Sequence, residues 1–285
     1  MRVLVTGADG QLGLELQRVL TEVEVAAVGR STMDVTDRNG VMETIGRFRP
    51  DVVIHAAAQT NVDGCELNPD QAYAVNALGT QNVALASAGV GAALVYVSTA
   101  YVFDGRKGAP YLEFDDPCPI SVYGRSKLAG ERFVQMAMTK FYIVRTAWLY
   151  GVGRNFVKTI LAAADSKREL FGVTDEIGSP TYARDLAEAI KQLIHYPVYG
   201  VYHFTNAGSC SRYEFIKAIC EVANRQVSVV PVTAADFLAK NPLPAKRPAS
   251  SVLRNFCAST SLGIGLRPWR EALEAYITNE GLRRV

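Results

Sequence analysis

The sequence predicts a doubly wound α/β protein: a parallel sheet covered by helices, with a smaller C-terminal α/β lobe. Three observations carry this. Short apolar runs with β-branched residues alternate with helical patterns through the first half of the 285 residues. The runs are apolar throughout, as in strands buried on both faces. A glycine-rich turn, Thr6-Gly7-Ala8-Asp9-Gly10-Gln11-Leu12-Gly13, joins the first run to the first helical pattern.

Strands are expected at 3–7 (VLVTG), 23–29 (VEVAAVG), 51–57 (DVVIHAA), 92–99 (AALVYVST) and 141–147 (FYIVRTA). Helices are expected between them, at 11–20, 38–48, in one long stretch over 69–88, and at 126–138. The second half is less regular. Helices are expected at 154–164, 182–196, 211–224 and 268–280, and strands at 201–204 and 226–230. The chain divides into a dinucleotide-binding domain over 1–147 and a mostly substrate-binding lobe over 148–285. A return segment around 175–205 brings VYHF back to the large sheet. Ligands of open parallel sheets bind at the carboxyl ends of the strands, so the lobe should close over that edge.

Composition narrows the function. Hydrophobic residues make up 49% and charged residues 20%, the balance of a soluble globular protein. A net charge of +2 is too weak to point to nucleic acid or an anionic membrane as partner. No apolar run reaches the roughly 18 residues of a membrane span. The chain enters a strand pattern at once, so no signal peptide is expected. Five scattered cysteines form no Cys-x-x-Cys, which argues against a zinc site or disulfide framework and fits a reducing cytoplasm. No metal site is expected. His55 ends an apolar run and reads as a hydrogen-bonded residue at a strand end.

The chemistry concentrates at strand ends. Gly7, Gly10 and Gly13 allow positive φ and close backbone approach. The helix beginning near Gln11 would aim its free amides at a pyrophosphate. The second strand ends in Gly29-Arg30-Ser31, without the acidic residue that binds a ribose 2′-hydroxyl in NAD sites. Arg30 either meets a 2′-phosphate, which favours NADPH with NADH still possible, or is a solvated surface residue. Asp37 suits a helix N-cap as well as a function. Ala56, Ala57 and Ala58 let a cofactor lie on the backbone, or simply pack a strand end. Asn76 either bonds a neighbouring backbone and shapes the site or faces solvent. Ser98 and Thr99 close the fourth strand, where a hydroxyl can donate to a carbonyl becoming an alkoxide.

Tyr123 and Lys127 are four apart in a helical pattern, which puts phenol and ammonium on one face. A cation there is expected to lower the phenol pKa and make it an acid or base near neutrality. With a nucleotide fold upstream, the pair suggests proton transfer coupled to hydride transfer.

In this order, the glycine turn, the Ser-Thr strand end and Tyr-x-x-x-Lys resemble the extended short-chain dehydrogenase/reductases. TGADGQLG, RPDVVIHAAAQTNVD, VNALGTQNVA, STAYVFDG, SVYGRSKLAGE, RTAWLYG, GSPTYARDLA and KRPASSVL narrow the resemblance to the dTDP-4-dehydrorhamnose reductase family. It implies a Rossmann-type fold and reduction of the C4 ketone of a dTDP-4-keto-6-deoxy sugar by NADPH. Tyr123 would be the acid, Lys127 the ribose contact, and Thr99 a partner of the same ketone oxygen. Gly7, Gly10, Gln11, Leu12, Arg30 and Ala56 to Ala58 would line the cofactor. Ala100, Tyr101, Trp148, Arg247 and Ser251 would lie toward the sugar nucleotide, with Trp148 equally placed to pack the lobe. The family usually has Asp where Ala100 stands, which bears on sugar identity. Glu15 occupies a plausible position for one ligand of a metal that some members hold at a dimer contact. A homodimer is expected as possible. The alternatives are a reductase of another nucleotide-linked 4-keto sugar and a binding role like that of the methionine adenosyltransferase regulatory subunit.

Overall fold

Alternating burial along the strands builds the molecule. Val3, Val5, Val52, Ile54 and Val95 point to one face of the sheet, and Leu4, Val53 and Leu94 to the other. The structure, a computed structural model, describes residues 1–284; Val285, the end of the expected lobe, lies outside the described residues. The first half runs β1 (Arg2–Thr6), α1 (Gln11–Val19), β2 (Glu24–Val28), α2 (Arg38–Phe48), β3 (Val52–His55), α3 (Val62–Leu67), α4 (Pro69–Tyr73), α5 (Thr80–Gly89), β4 (Ala93–Thr99), α6 (Val122–Ala137) and β5 (Phe141–Thr146). The second half runs β6 (Leu149–Tyr150), α7 (Phe156–Ser166), β7 (Glu169–Val173), β8 (Ile177–Gly178), β9 (Thr181–Tyr182), α8 (Ala183–Leu193), β10 (Gly200–His203) and β11 (Cys210–Ser211). It ends with α9 (Arg212–Val222), β12 (Ser228–Val232), α10 (Ala234–Lys240), β13 (Ser250–Ser251), α11 (Phe256–Leu262) and α12 (Trp269–Asn279).

Six parallel strands form the main sheet in the order β10-β5-β4-β3-β1-β2. The order reverses beside β1, the switch point at which α/β sheets open a ligand crevice. Helices α1 and α8 cover one face through Leu12, Leu16, Leu186 and Ile190. Helices α2 and α5 cover the other through Val41, Ile45 and Val83. β10 pairs with β5, and α8 packs on α1, so the second half of the chain completes the sheet.

The long helix expected over 69–88 is interrupted. Residues Ala74–Gly79 form a π-helical turn between α4 and α5. Such turns commonly mark functional positions; this one carries Asn76 inward. α3, α10, α11 and β7 lie where no element is expected. α3 is a six-residue helix capped by Asn61, whose side chain accepts the Gly64 amide at 3.0 Å. Asp37 is a helix N-cap, accepting the Asn39 amide. The remaining strands form small two- and three-stranded sheets of the lobe. The lobe's core is aromatic: Tyr150, Tyr182, Phe215 and Tyr276 pack with Leu273 and Ile277. Among the described residues no helix is long and apolar enough to cross a membrane.

Candidate active site

The β1–α1 turn shows what its glycines are for. Gly7 has φ 68°, and a Cβ there would fall 2.6 Å from the Ala57 nitrogen. A Cβ on Gly13 would fall 2.2 Å from the Gly7 carbonyl oxygen. These two glycines let the turn, β3 and α1 close on one another. Gly10 is the N-cap of α1 and makes no side-chain cap bond, so the first amides of the helix are left free toward the crevice.

A cavity of about 820 Å³ runs along the carboxyl edge of the sheet. Its walls include Gly7, Gly10, Gln11, Leu12, Arg30, Ala56, Ala57 and Ala58 at one end. Thr99, Tyr101, Tyr123, Lys127 and Trp148 follow toward the lobe. Three expected residues are not brought in. Ala100 is 1% exposed and packs among Val102, Phe103, Tyr111 and Leu128. Ser251 is buried on β13, its hydroxyl donating to the Ile177 carbonyl at 3.3 Å. Arg247 is held by Asp63, through Nη1–Oδ1 at 2.8 Å and Nη2–Oδ2 at 2.6 Å.

The hydroxyl, phenol and ammonium expected to react sit where two elements meet. Thr99 ends β4, and its Oγ1 accepts the Tyr101 amide at 3.2 Å. Ser121 caps α6, accepting the Gly124 amide at 3.2 Å, and so fixes the start of the helix that carries Tyr123 and Lys127. Gly124 is required there, because a Cβ would lie 2.1 Å from the Tyr101 carbonyl oxygen. Burial pushes the Tyr123 phenol up to about 12, and the Thr99 side chain, which pairs with it, opposes the shift. Burial brings the Lys127 ammonium down to about 7, against the attraction of Glu131. Lys127 Nζ lies 4.1 Å from the centroid of the Tyr96 ring. The expected lowering of the tyrosine by its lysine is therefore not met in this state. Desolvation dominates both groups and moves them toward their neutral forms.

Support comes from behind. Asn76 is buried, neither solvent-facing nor free: Oδ1 accepts the Gln59 amide at 2.7 Å, and Nδ2 donates to the Gln59 carbonyl at 3.1 Å and Ser126 Oγ at 3.0 Å. It ties α6 to the cavity wall at Gln59. His55 is hydrogen-bonded between Thr6 at 2.7 Å and Thr80 at 3.1 Å, and burial takes its pKa down to about 3. It is structural and neutral.

Two buried atoms on the cavity wall lack partners, Gln11 Oε1 and Thr146 Oγ1. Together with the free α1 amides and the exposed Arg30, they form a donor and acceptor set that fits a dinucleotide. Arg30 is 80% exposed on its side chain and lies 3.7 Å from Asp34, so it is available at the rim. Glu15 is fully buried, with Oε1 on Arg18 at 2.8 Å. Among the described residues no three His, Cys, Asp or Glu side chains come together as a metal site.

Reading the sequence alone passes over Arg212 and Thr146. Arg212, the first residue of α9, lines the cavity and stacks on Trp148. The one local signal is Ser211-x-x-Glu214, a capping box that fixes the helix start one residue before it.

The sheet, the glycine turn and the Thr99–Tyr123–Lys127 set define an α/β oxidoreductase of the short-chain dehydrogenase type. Residues 1–281 match the family model described as RmlD substrate binding domain. The chain is 44% identical over 279 residues to the spore coat polysaccharide biosynthesis protein SpsK of Bacillus subtilis, covering 97% of this chain and 96% of that protein. It superimposes on a dTDP-4-dehydrorhamnose reductase from Clostridium acetobutylicum with a TM-score of 0.96 and 44% identity, covering 99% and 100% of the two chains. The Bacillus anthracis dTDP-4-dehydrorhamnose reductase in complex with NADP gives 0.94 and 43%, covering 98% and 99%. The chain belongs to the dTDP-4-dehydrorhamnose reductase family.

Proposed function

We propose that the protein reduces the C4 ketone of a dTDP-4-keto-6-deoxyhexose with NADPH, forming dTDP-L-rhamnose. The observation that carries the reading is the phenol of Tyr123, which lines the cavity and pairs with Thr99; burial pushes its pKa up to about 12, which favours the protonated form. Bound NADPH would supply the hydride. The Gly10–Leu12 turn would hold its pyrophosphate at the α1 amides, and Arg30 its 2′-phosphate.

A reduction needs an acid that starts protonated, and a raised phenol pKa keeps it so. Tyr123 donates to the ketone oxygen as that oxygen gains charge, and Thr99 Oγ1 hydrogen-bonds the same oxygen. Lys127 is protonated below about pH 7 and then stabilises the phenolate left behind. The test is NADPH oxidation with a panel of dTDP-, UDP- and GDP-linked 4-keto sugars, with the product sugar identified. Absence of turnover on every member, with NADPH still bound, removes the reading. Preference for another 4-keto sugar keeps the chemistry and changes the product, an outcome in keeping with the likeness to a polysaccharide biosynthesis protein.

A further inference from the structure

The lobe side of the cavity holds a cation that the reacting set does not use. Arg212 opens α9 and reaches back to the cavity wall, 21% exposed. Its guanidinium carbon lies 3.5 Å from the centroid of the Trp148 ring and 5.0 Å from that of Phe156. It also lies beside the Tyr101 phenol, and Tyr101 stands edge-on to Tyr123 with ring centroids 5.9 Å apart. The stack is built into the backbone. Trp148 takes φ 43°, and Gly178 makes room for the indole, since a Cβ there would fall 2.3 Å from the ring.

Beyond its pairing with the Tyr101 hydroxyl, this guanidinium keeps free donors. Glu176 stays 3.9 Å from Nε, beyond hydrogen-bonding distance. The side chain has none of the paired carboxylate bonds that hold Arg145 and Arg247. Arg247, the cation that resemblance places near the sugar nucleotide, is occupied by Asp63 and does not line the cavity. Arg154 also lines the cavity.

We infer that Arg212 is the anion anchor of the substrate, receiving the phosphate oxygens of a diphosphate borne on the sugar carbon opposite the reacting ketone. The inference rests on the nucleotide-sugar reading above. Tyr101 neighbours both Tyr123 and Arg212. A hexose held against it would present its C4 oxygen toward Tyr123 and its C1 oxygen toward Arg212. A planar guanidinium fixed on an indole presents its fork to a phosphate in one orientation. Arg212 would thus choose which end of the sugar enters first.

The test uses the NADPH-loaded protein and calorimetric titration with dTDP, with thymidine as the ligand lacking an anion. Arg212→Gln should weaken dTDP binding by roughly ten- to more than a hundredfold and leave thymidine and NADPH unchanged. Arg212→Lys, which keeps the charge and loses the fork, should fall between. In turnover, KM for the nucleotide sugar should rise more than kcat falls. Equal dTDP affinity in wild type and Arg212→Gln overturns the anchor, even where a 4-keto sugar is reduced. A wild type that binds dTDP no better than thymidine overturns it too. If no nucleotide sugar is reduced yet Arg212→Gln selectively loses dTDP, the anchor stands and the proposed reaction falls. Should the Gln variant fail to fold, the Lys variant decides: an unchanged gap between dTDP and thymidine overturns the anchor.

Discussion

Arg145 grips Glu131 through Nε–Oε1 at 3.0 Å and Nη2–Oε2 at 2.7 Å, and neither side chain is more than 5% exposed. Ser98 Oγ donates to the same carboxylate at 2.5 Å. Glu131 lies one helical turn after Lys127 and favours its charged form. The pair therefore joins β4, β5 and α6 directly beneath Thr99, Tyr123 and Lys127.

Glu131→Gln should be strongly destabilising. It leaves a buried guanidinium uncompensated, and breaking such a pair typically costs about 3–5 kcal/mol. Urea unfolding followed by circular dichroism measures it. A loss below about 1 kcal/mol, the worth of an exposed pair, would show that water replaces the carboxylate.

Tyr123→Phe should leave NADPH binding nearly intact and slow reduction by roughly 10²–10⁴-fold, the usual share of a general acid. Single-turnover kinetics at saturating cofactor isolates the step. A variant with near wild-type kcat would remove the phenol from the mechanism.

Lys127→Met should abolish most activity yet raise stability at neutral pH. The folded pKa is about 7, well below the ordinary lysine value, so the unfolded chain binds the extra proton between about pH 7 and pH 10. Wild-type stability thus rises with pH across that window, and the advantage of methionine shrinks across it, from an upper bound of about 5 kcal/mol. Melting curves at pH 7 and pH 10 test the sign. A methionine variant less stable than wild type at both values would mean that contacts to Tyr96, not desolvation, dominate.

Arg30→Ala should weaken NADPH by roughly tenfold or more and leave NADH little changed, since one charge-assisted bond contributes about 1.5–3 kcal/mol. Fluorescence titration with both cofactors reads this directly. Equal losses for the two would mean that Arg30, which already faces Asp34, does not meet the 2′-phosphate.

The sheet was legible because its strands are buried on both faces and its helices carry apolar stripes; α2 occupies the same residues in sequence and structure. The Thr99–Tyr123–Lys127 set was legible as strand end plus helix spacing. Other features depend on tertiary partners. α3 has six residues, too few for a periodic signal, and exists through its asparagine caps. The π turn at Ala74–Gly79 has no local sequence signal; within it Asn76 bonds Gln59 and Ser126 across the fold. Arg212 lies 64 residues after Trp148 and meets it only once the lobe has folded. The opposing pKa shifts of Tyr123 and Lys127 come from burial, which spacing alone does not report.

Position 100 lies away from the cavity. The missing carboxylate was expected to bear on sugar identity, but the Ala100 methyl packs in the cluster of Val102, Phe103, Tyr111 and Leu128 and does not line the cavity. Ala100→Asp must bury a carboxylate there. The nearby buried donor without a partner is Arg145 Nη1, on the guanidinium whose carbon lies 5.1 Å from the Phe103 ring centroid. Without such a bond, a buried polar group costs about 1–3 kcal/mol and a charge more. The expected result is a lower melting temperature at pH 7, partly recovered at acid pH as the new carboxyl takes up a proton. The ratio of kcat/KM for two 4-keto sugars of different configuration should stay unchanged, because neither Thr99 nor Tyr123 moves. A changed ratio at unchanged stability would return position 100 to the substrate side.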